Sequence, residues 1–357
     1  MRVIIDVLTP KQLMFFPRLA ERLEDKGHET LMTTRKYREV SQLLQKRGIE
    51  AVAVGKHGGG DLRNKLLAST DRIQRLVGVF DDFSPDAAVS FSSPEMARAS
   101  YGLGIPHICV NDSPHSVAVA KLTVPLSKRL LTPDMIPKRE WMRFGIAEEN
   151  IVQYHALDPW AWLRDFEPDR GVLDELGLDE SSPIVTFRVP EVFASYLLGN
   201  SGARMAQGEF IARFLELRGD VQVVVVPRYR KQVRELKAVF GDRIVLCESV
   251  VDGASLIAFS DVFVGMGGTM SAEAALLGTP TISSYPEGYI IEDYLIEKGL
   301  ITKEVDPERL LKKIMEVLAA IDERKRLAKE RARTLVSGFE DPIEVISSEV
   351  EKILEII

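Results

Sequence analysis

Cysteine is nearly absent from this chain: two residues in 357, Cys109 and Cys247. Each sits in its own short apolar run. They give no disulfide framework and no Cys/His metal spacing, and they read as buried, inert thiols in a reducing compartment. Long apolar runs are lacking too. Stretches such as 223–226 and 262–264 are strand-length, far below the roughly 20 residues a spanning helix needs. The start, Met1-Arg2-Val3-Ile4-Ile5-Asp6, meets an acid after three apolar residues, so no secretory signal is expected. Net charge is only −7 against 45% apolar residues, which excludes a disordered chain. Residues 1–157 carry +4 and the remaining 200 carry −11. Such a second half is a poor surface for phosphate backbones, so no nucleic acid partner is expected.

What the chain does have is alternation. Short apolar runs at 3–7, 30–34, 51–54, 87–91 and 107–110 are separated by helical patterns. One of these covers 12–26, where Leu13, Phe16, Leu19, Ala20 and Leu23 keep the 3, 4 spacing and Gly27 follows as a stop. The pattern pauses near 158–169 and restarts with runs at 184–188, 222–227, 244–247, 261–265 and 280–283. Strands alternating with helices mean βαβ units and parallel sheets. The expectation is an α/β protein of two Rossmann-like parallel-sheet domains facing across a cleft. An N-terminal domain covers 1–157, a linker 158–180, and a C-terminal domain 181–341. The amphipathic helix 342–357 is expected to pack back on the first domain. Ligands of such sheets bind beyond the carboxyl ends of the strands.

After the run 261–265 comes Gly265-Met266-Gly267-Gly268-Thr269-Met270-Ser271-Ala272-Glu273. Glycines let backbone N–H groups approach a ligand, and Thr269 or Ser271 can cap a following helix. The helix N-terminus then offers free N–H groups and partial positive charge to an anion. Glu273, in the first turn or so, can accept hydrogen bonds from vicinal hydroxyls. Arg188 and Arg228 each follow a strand and are suited to phosphate.

With Ser249-Val250-Val251-Asp252, Ala258 to Val264, Gly267-Gly268-Thr269, Glu273-Ala274 and Gly278-Thr279-Pro280, the chain resembles the nucleotide-sugar half of glycosyltransferase-B (GT-B) enzymes. The likeness is greatest to MurG, which adds N-acetylglucosamine to a lipid-linked acceptor. UDP-GlcNAc 2-epimerases share much of the pattern, and the whole chain resembles the archaeal family DUF354. The resemblance is good over 244–290 and otherwise lies in layout. It implies that backbone at Val250 and Val251 faces uracil. Gly267, Gly268 and Thr269 would cradle the diphosphate, and Glu273 would hold the ribose. The stretch Tyr285-Pro286-Glu287-Gly288 would touch the hexose. Two departures stand out: Glu287 and Gly288 replace a glutamine-bearing turn, and Arg188-Val189-Pro190 replaces a glycine–serine turn.

In the first half, the glycine-rich turn that MurG carries after its first strand is missing. Glycines appear later, in Gly55-Lys56-His57-Gly58-Gly59-Gly60-Asp61. Lys56, Gly58 and Gly59 are expected to form a phosphate or acceptor loop with His57 as a base. The turn Asn111-Asp112-Ser113-Pro114-His115 offers Asp112 or His115 to deprotonate an acceptor or to orient His57. Basic, apolar-interleaved stretches at 62–79 and 121–143 suit either a packed amphipathic helix or an anionic membrane face. The expected activity is metal-independent and cofactor-free transfer of a sugar, an N-acetylhexosamine by resemblance, from a UDP-sugar to an acceptor, a lipid-linked one included. The alternatives are a UDP-GlcNAc 2-epimerase and a non-catalytic nucleotide-sugar-binding subunit. The expected location is the cytoplasm, with peripheral contact at the inner membrane face.

Overall fold

The computed structural model describes residues 1–189, 202–228 and 230–355. Pro190, of the turn after Arg188, lies outside the described residues. Strands β1 (Arg2–Val7), β2 (Glu29–Lys36), β3 (Val52–Lys56), β4 (Ala87–Ser90), β5 (His107–Val110), β6 (Arg129–Pro133) and β7 (Ile151–Tyr154) form one sheet in the order β3-β2-β1-β4-β5-β6-β7. Strands β8 (Ile184–Arg188), β9 (Gln222–Val226), β10 (Val245–Leu246), β11 (Val262–Gly265), β12 (Thr281–Ser283) and β13 (Ile301–Lys303) form a second, ordered β10-β9-β8-β11-β12-β13. Every ladder is parallel. Central strands such as Ala87–Ser90 and His107–Val110 are buried along their whole length. That explains why they read as continuous apolar runs rather than alternating ones.

The chain divides into two units, Met1–Trp162 with Phe339–Ile357, and Leu163–Gly338. The first unit is closed by the helix Pro342–Leu354 lying on the helix Pro10–Asp25. Ile346, Val350 and Ile353 are buried there, while Arg22 pairs with Glu344 and Lys26 with Glu351 at 2.6 Å.

Two basic stretches need correction. Residues 121–143 are not one helix. They contain the end of the helix Val117–Thr123, a 3-10 turn, the strand β6 and the short helix Arg139–Met142, and Leu130 and Leu131 are core. Residues 62–79 do belong to a helix, Leu62–Phe83, but its Arg72 does not face solvent. Its guanidinium is buried against Asp6 of β1, at 2.5 and 2.9 Å, and its Nε donates to the Val54 carbonyl at 3.0 Å. Thr33 donates to the same carboxylate at 2.8 Å. Among the described residues no helix is long and apolar enough to cross a membrane.

In each sheet the strand order reverses once, between β1 and β4 and between β8 and β11. Chain connections leave to opposite sides there and open a crevice at the strands' carboxyl ends. The residues just after β1, β4, β8 and β11 are therefore the first places to look for chemistry.

Candidate functional site

In the second unit the reversal is flanked by Arg188, the last residue of β8, and the glycine turn after β11. Gly267 and Gly268 have φ of +70° and +82°, a conformation only glycine adopts without strain. The helix Thr269–Leu277 begins one residue earlier than a Thr269 cap requires and three earlier than a Ser271 cap requires. Gly268 is its N-cap and no side chain caps it. Ser271 is instead inside the first turn, buried, its Oγ without a hydrogen bond and packed against Gly265. A buried hydroxyl left over beneath a glycine turn at a helix N-terminus is what an anion site needs. Thr269 and the half-buried Met266 border it. Glu273 lies in the second turn and is buried.

The other donor-side residues fall around this turn in sequence and differ in availability. Arg188 gives Nη1 to the carbonyls of Val226 and Pro227, at 3.1 and 2.9 Å, so part of its fork already ties β8 to the end of β9. Arg228 follows β9, and its backbone N–H donates to Gln232 at 2.8 Å. Val250 and Val251 form the loop before the helix Gly253–Phe259, with Val251 packed on the core and Asp252 capping that helix. Glu287 and Gly288 are exposed. The Tyr285 hydroxyl donates to Glu287 at 3.4 Å, and Lys303 holds the Glu287 carbonyl at 2.8 Å.

In the first unit the Lys56–Gly59 loop lines a cavity of about 850 Å³ with Lys36, Asn64, Asp71 and Arg75. A side chain at Gly58 would run into the backbone of Lys65, so the loop is packed rather than loose. The His57 ring lies 5.0 Å from that of Tyr37, and its Nδ1 accepts the Gly59 N–H at 3.0 Å. The expected link between His57 and Asp112 does not exist. His57 follows β3 and Asp112 follows β5, with β2, β1 and β4 between them. Four strand spacings are roughly 19 Å.

Asp112 has other partners. Lys11, in the first turn of the helix after β1, places Nζ 2.5 Å from Asp112 and 2.7 Å from Asp158, and 4.1 Å from the Phe91 ring centroid. Asp158 also accepts from the Tyr154 hydroxyl, and Ser113 donates to Asp112 at 2.7 Å. Phe91 follows β4, so the cluster sits at the first unit's reversal. Burial opposes the Asp112 charge, but Lys11 and the hydrogen bonds win and bring its carboxyl to about 2. Burial, with Asp112 adding repulsion, pushes Asp158 up to about 6. Two carboxylates around one ammonium thus leave a proton affinity near neutrality that belongs to the cluster. Side-chain exposure ranks its members: 21% for Asp112, 14% for Lys11 and 0% for Asp158. Asp112 and Lys11 can be reached from outside, and Asp158 and Tyr154 stand behind them. His115 is exposed on the turn that follows.

Lys11, Asp158 and Tyr154 were not legible as a site. The one signal was Lys11 itself, since an ammonium in a helix's first turn opposes the dipole. Asp158 follows β7, a strand that the apolar pattern does not show.

Two Rossmann-like units, each a parallel sheet flanked by helices, match the two-domain GT-B architecture. A model of the family described as "Protein of unknown function (DUF354)" matches residues 1–355, and the chain belongs to that family. An uncharacterized protein of Methanocaldococcus jannaschii, MJ0665, is 30% identical over 318 residues, 87% of this chain and 89% of that one. The UDP-GlcNAc 2-epimerase of Neisseria meningitidis bound to UDP-GlcNAc is similar in structure, with a TM-score of 0.77 at 14% identity over 99% of this chain and 100% of that one. The S. aureus MnaA–UDP structure gives 0.78 at 15% identity, over 100% and 97%. The glycosyltransferase VinC with dTDP gives 0.60 at 16%, over 99% and 100%.

Proposed function

We propose that the chain acts on a UDP-sugar, and that it is a UDP-GlcNAc 2-epimerase rather than a transferase. The observation that carries this is the Lys11–Asp112–Asp158–Tyr154 cluster at the first unit's strand reversal. Taking a proton from a sugar carbon needs a reachable carboxylate that is ionised at neutral pH, and no second substrate. Asp112 is the base. Lys11 holds it in place and offsets its charge, and Asp158 with Tyr154 fixes Lys11. The Neisseria UDP-GlcNAc 2-epimerase, bound to UDP-GlcNAc, has a higher TM-score than the glycosyltransferase VinC, which supports the same choice. The nucleotide is assigned to the second unit: backbone at Val250 and Val251 for uracil, Glu273 for ribose, Gly267, Gly268 and Thr269 with the helix end for diphosphate, Arg188 and Arg228 near phosphate, Glu287 and Gly288 for the hexose. The helix end and the arginines supply the charge that would otherwise fall to a divalent cation, so UDP binding should survive EDTA.

One observation favours the transferase reading. The cavity at Lys56–Gly59 lies beside exposed Leu62, Leu66 and Leu67 with Arg63, a combination suited to an acceptor with a lipid chain and an anionic head. Incubation with UDP-GlcNAc alone in D₂O separates the two. An epimerase places deuterium at C2 and yields the C2 epimer without any acceptor. Bound UDP-GlcNAc with no exchange at C2 overturns the epimerase reading in favour of transfer.

A further inference from the structure

The glycine turn already has an occupant. The backbone N–H of Gly268, the N-cap of the helix Thr269–Leu277, donates to the Tyr289 hydroxyl. The Tyr289 ring lies flat enough on Gly267 that a Cβ there would sit 2.9 Å from its Cε1. So a donor of the turn is spent on a neutral oxygen of the chain itself, while Ser271 beneath stays without a hydrogen bond.

We propose that Tyr289 is a displaceable plug of the diphosphate site: its hydroxyl and a donor phosphate oxygen compete for the Gly268 N–H. This rests on the assignment of the nucleotide to that turn. An N–H at a helix N-terminus bonds an anionic oxygen more strongly than a neutral phenol, so the phosphate wins and the ring turns away. The movement is confined to the side chain. The Tyr289 backbone carbonyl is anchored by the Asp293 N–H at 3.0 Å as the first bond of the helix Ile290–Glu297. The ring also contacts Tyr285 edge-on, centroids 6.2 Å apart, and the Tyr285 hydroxyl reaches Glu287. Rotation of Tyr289 therefore disturbs the segment assigned to the hexose. Diphosphate binding and the setting of the hexose contacts become one event, and a nucleoside lacking phosphates does not trigger it.

The experiment is calorimetric titration of the full chain with UDP and with uridine, wild type against Tyr289→Phe. Removing only the hydroxyl leaves the ring and frees the N–H. UDP should bind about two- to tenfold tighter, the factor one neutral hydrogen bond carries, and uridine affinity should not change. In ring-labelled tyrosine NMR, the resonance lost in Tyr289→Phe should move on adding UDP and stay put on adding uridine. Equal or weaker UDP binding by Tyr289→Phe, or an unmoved Tyr289 resonance at saturating UDP, overturns the plug while leaving the donor site standing. If the folded wild type and variant both fail to bind UDP, the donor assignment falls and the plug with it.

Discussion

Among single side chains, Asp112 and Asp158 are chemically alike and differ by surroundings. Both flank Lys11, but Asp112 reaches the surface and Asp158 is sealed behind it and bonded to Tyr154. Replacing Asp112 by Asn should lower turnover about 10²–10⁴-fold, the usual share of a general base, with UDP affinity unchanged because UDP is assigned to the other unit. Asp158→Asn acts at one remove. Burial pushes the Asp158 carboxyl up to about 6, so the cluster takes up a proton in that range. Below that pH Lys11 leans wholly on Asp112 and weakens it as a base, so kcat/KM should fall with acid through about pH 6. The Asn variant should lose that limb of the profile and run slowly at every pH. A limb that persists unchanged in Asp158→Asn would show that this carboxyl does not set it. On the donor side, Glu273→Ala should weaken UDP by about 1.5–3 kcal/mol, the range for a hydrogen bond to a charged group. Equal affinities by calorimetry, in a variant whose melting curve shows it folded, would remove Glu273 from the ribose.

At the level of strands and helices, the ion pair between β1 and the helix Leu62–Phe83 shows what apolar patterning hides. Asp6 interrupts a run of core residues and Arg72 falls inside a basic stretch, yet each is the other's solution. Their forked contact is buried, with Thr33 and the Val54 carbonyl taking further bonds. Breaking such a pair from one side leaves a charge stranded in the core. Arg72→Met should cost about 3–5 kcal/mol by denaturant unfolding, while the double change Asp6→Leu with Arg72→Met should recover much of the loss. Additive costs in the two single variants would mean the pair is not coupled. The same reasoning accounts for which elements could be read beforehand. Strands β1 to β5 and β8 to β12 are visible because each falls on one of the short runs between helical patterns. β6 is hidden because Leu130 and Leu131 sit among six basic residues whose spacing suggests a helix. β7 and β13 are four and three residues long and owe their pairing to β6 and β12, which no local pattern encodes. The glycine turn could be located because it is contiguous in sequence. The Lys11 cluster could not, because its members come from the ends of β1, β5 and β7, and meet only once the sheet order is known.

For the molecule as a whole, the two units should differ in acid resistance. All five histidines and all three tryptophans fall within residues 1–162, and so within the first unit. His107 is decisive. Ser127 gives its hydroxyl hydrogen to the Thr123 carbonyl at 2.8 Å, so it accepts from His107 Nδ1–H at 2.8 Å, and Nε2 accepts from Ser90, also at 2.8 Å. The ring is thereby fixed in one neutral tautomer. Burial takes its pKa from 6.5 down to about 3. In that interval the unfolded chain binds a proton that the folded chain refuses. The stability this contributes is complete above pH 6.5 and is lost progressively as pH falls toward 3. Asp6 and Asp112, both lowered, add losses of the same sign below their ordinary range. Asp158 in the first unit, raised from 3.8 to about 6, and the buried Glu292 in the second, raised chiefly by burial, work the other way, but the fall of His107 from 6.5 to about 3 exceeds the rise of Asp158. Lowering the pH from 6.5 to 3 should therefore change tryptophan fluorescence, which reports the first unit alone, before far-ultraviolet circular dichroism has lost the second unit's helices. His107→Gln has no proton to gain in this interval. Whatever the substitution costs at pH 7.5, its stability should fall less steeply between pH 6.5 and 4 than that of the wild type. Parallel slopes for the two proteins would mean that His107 is not the group that makes the first unit acid-labile.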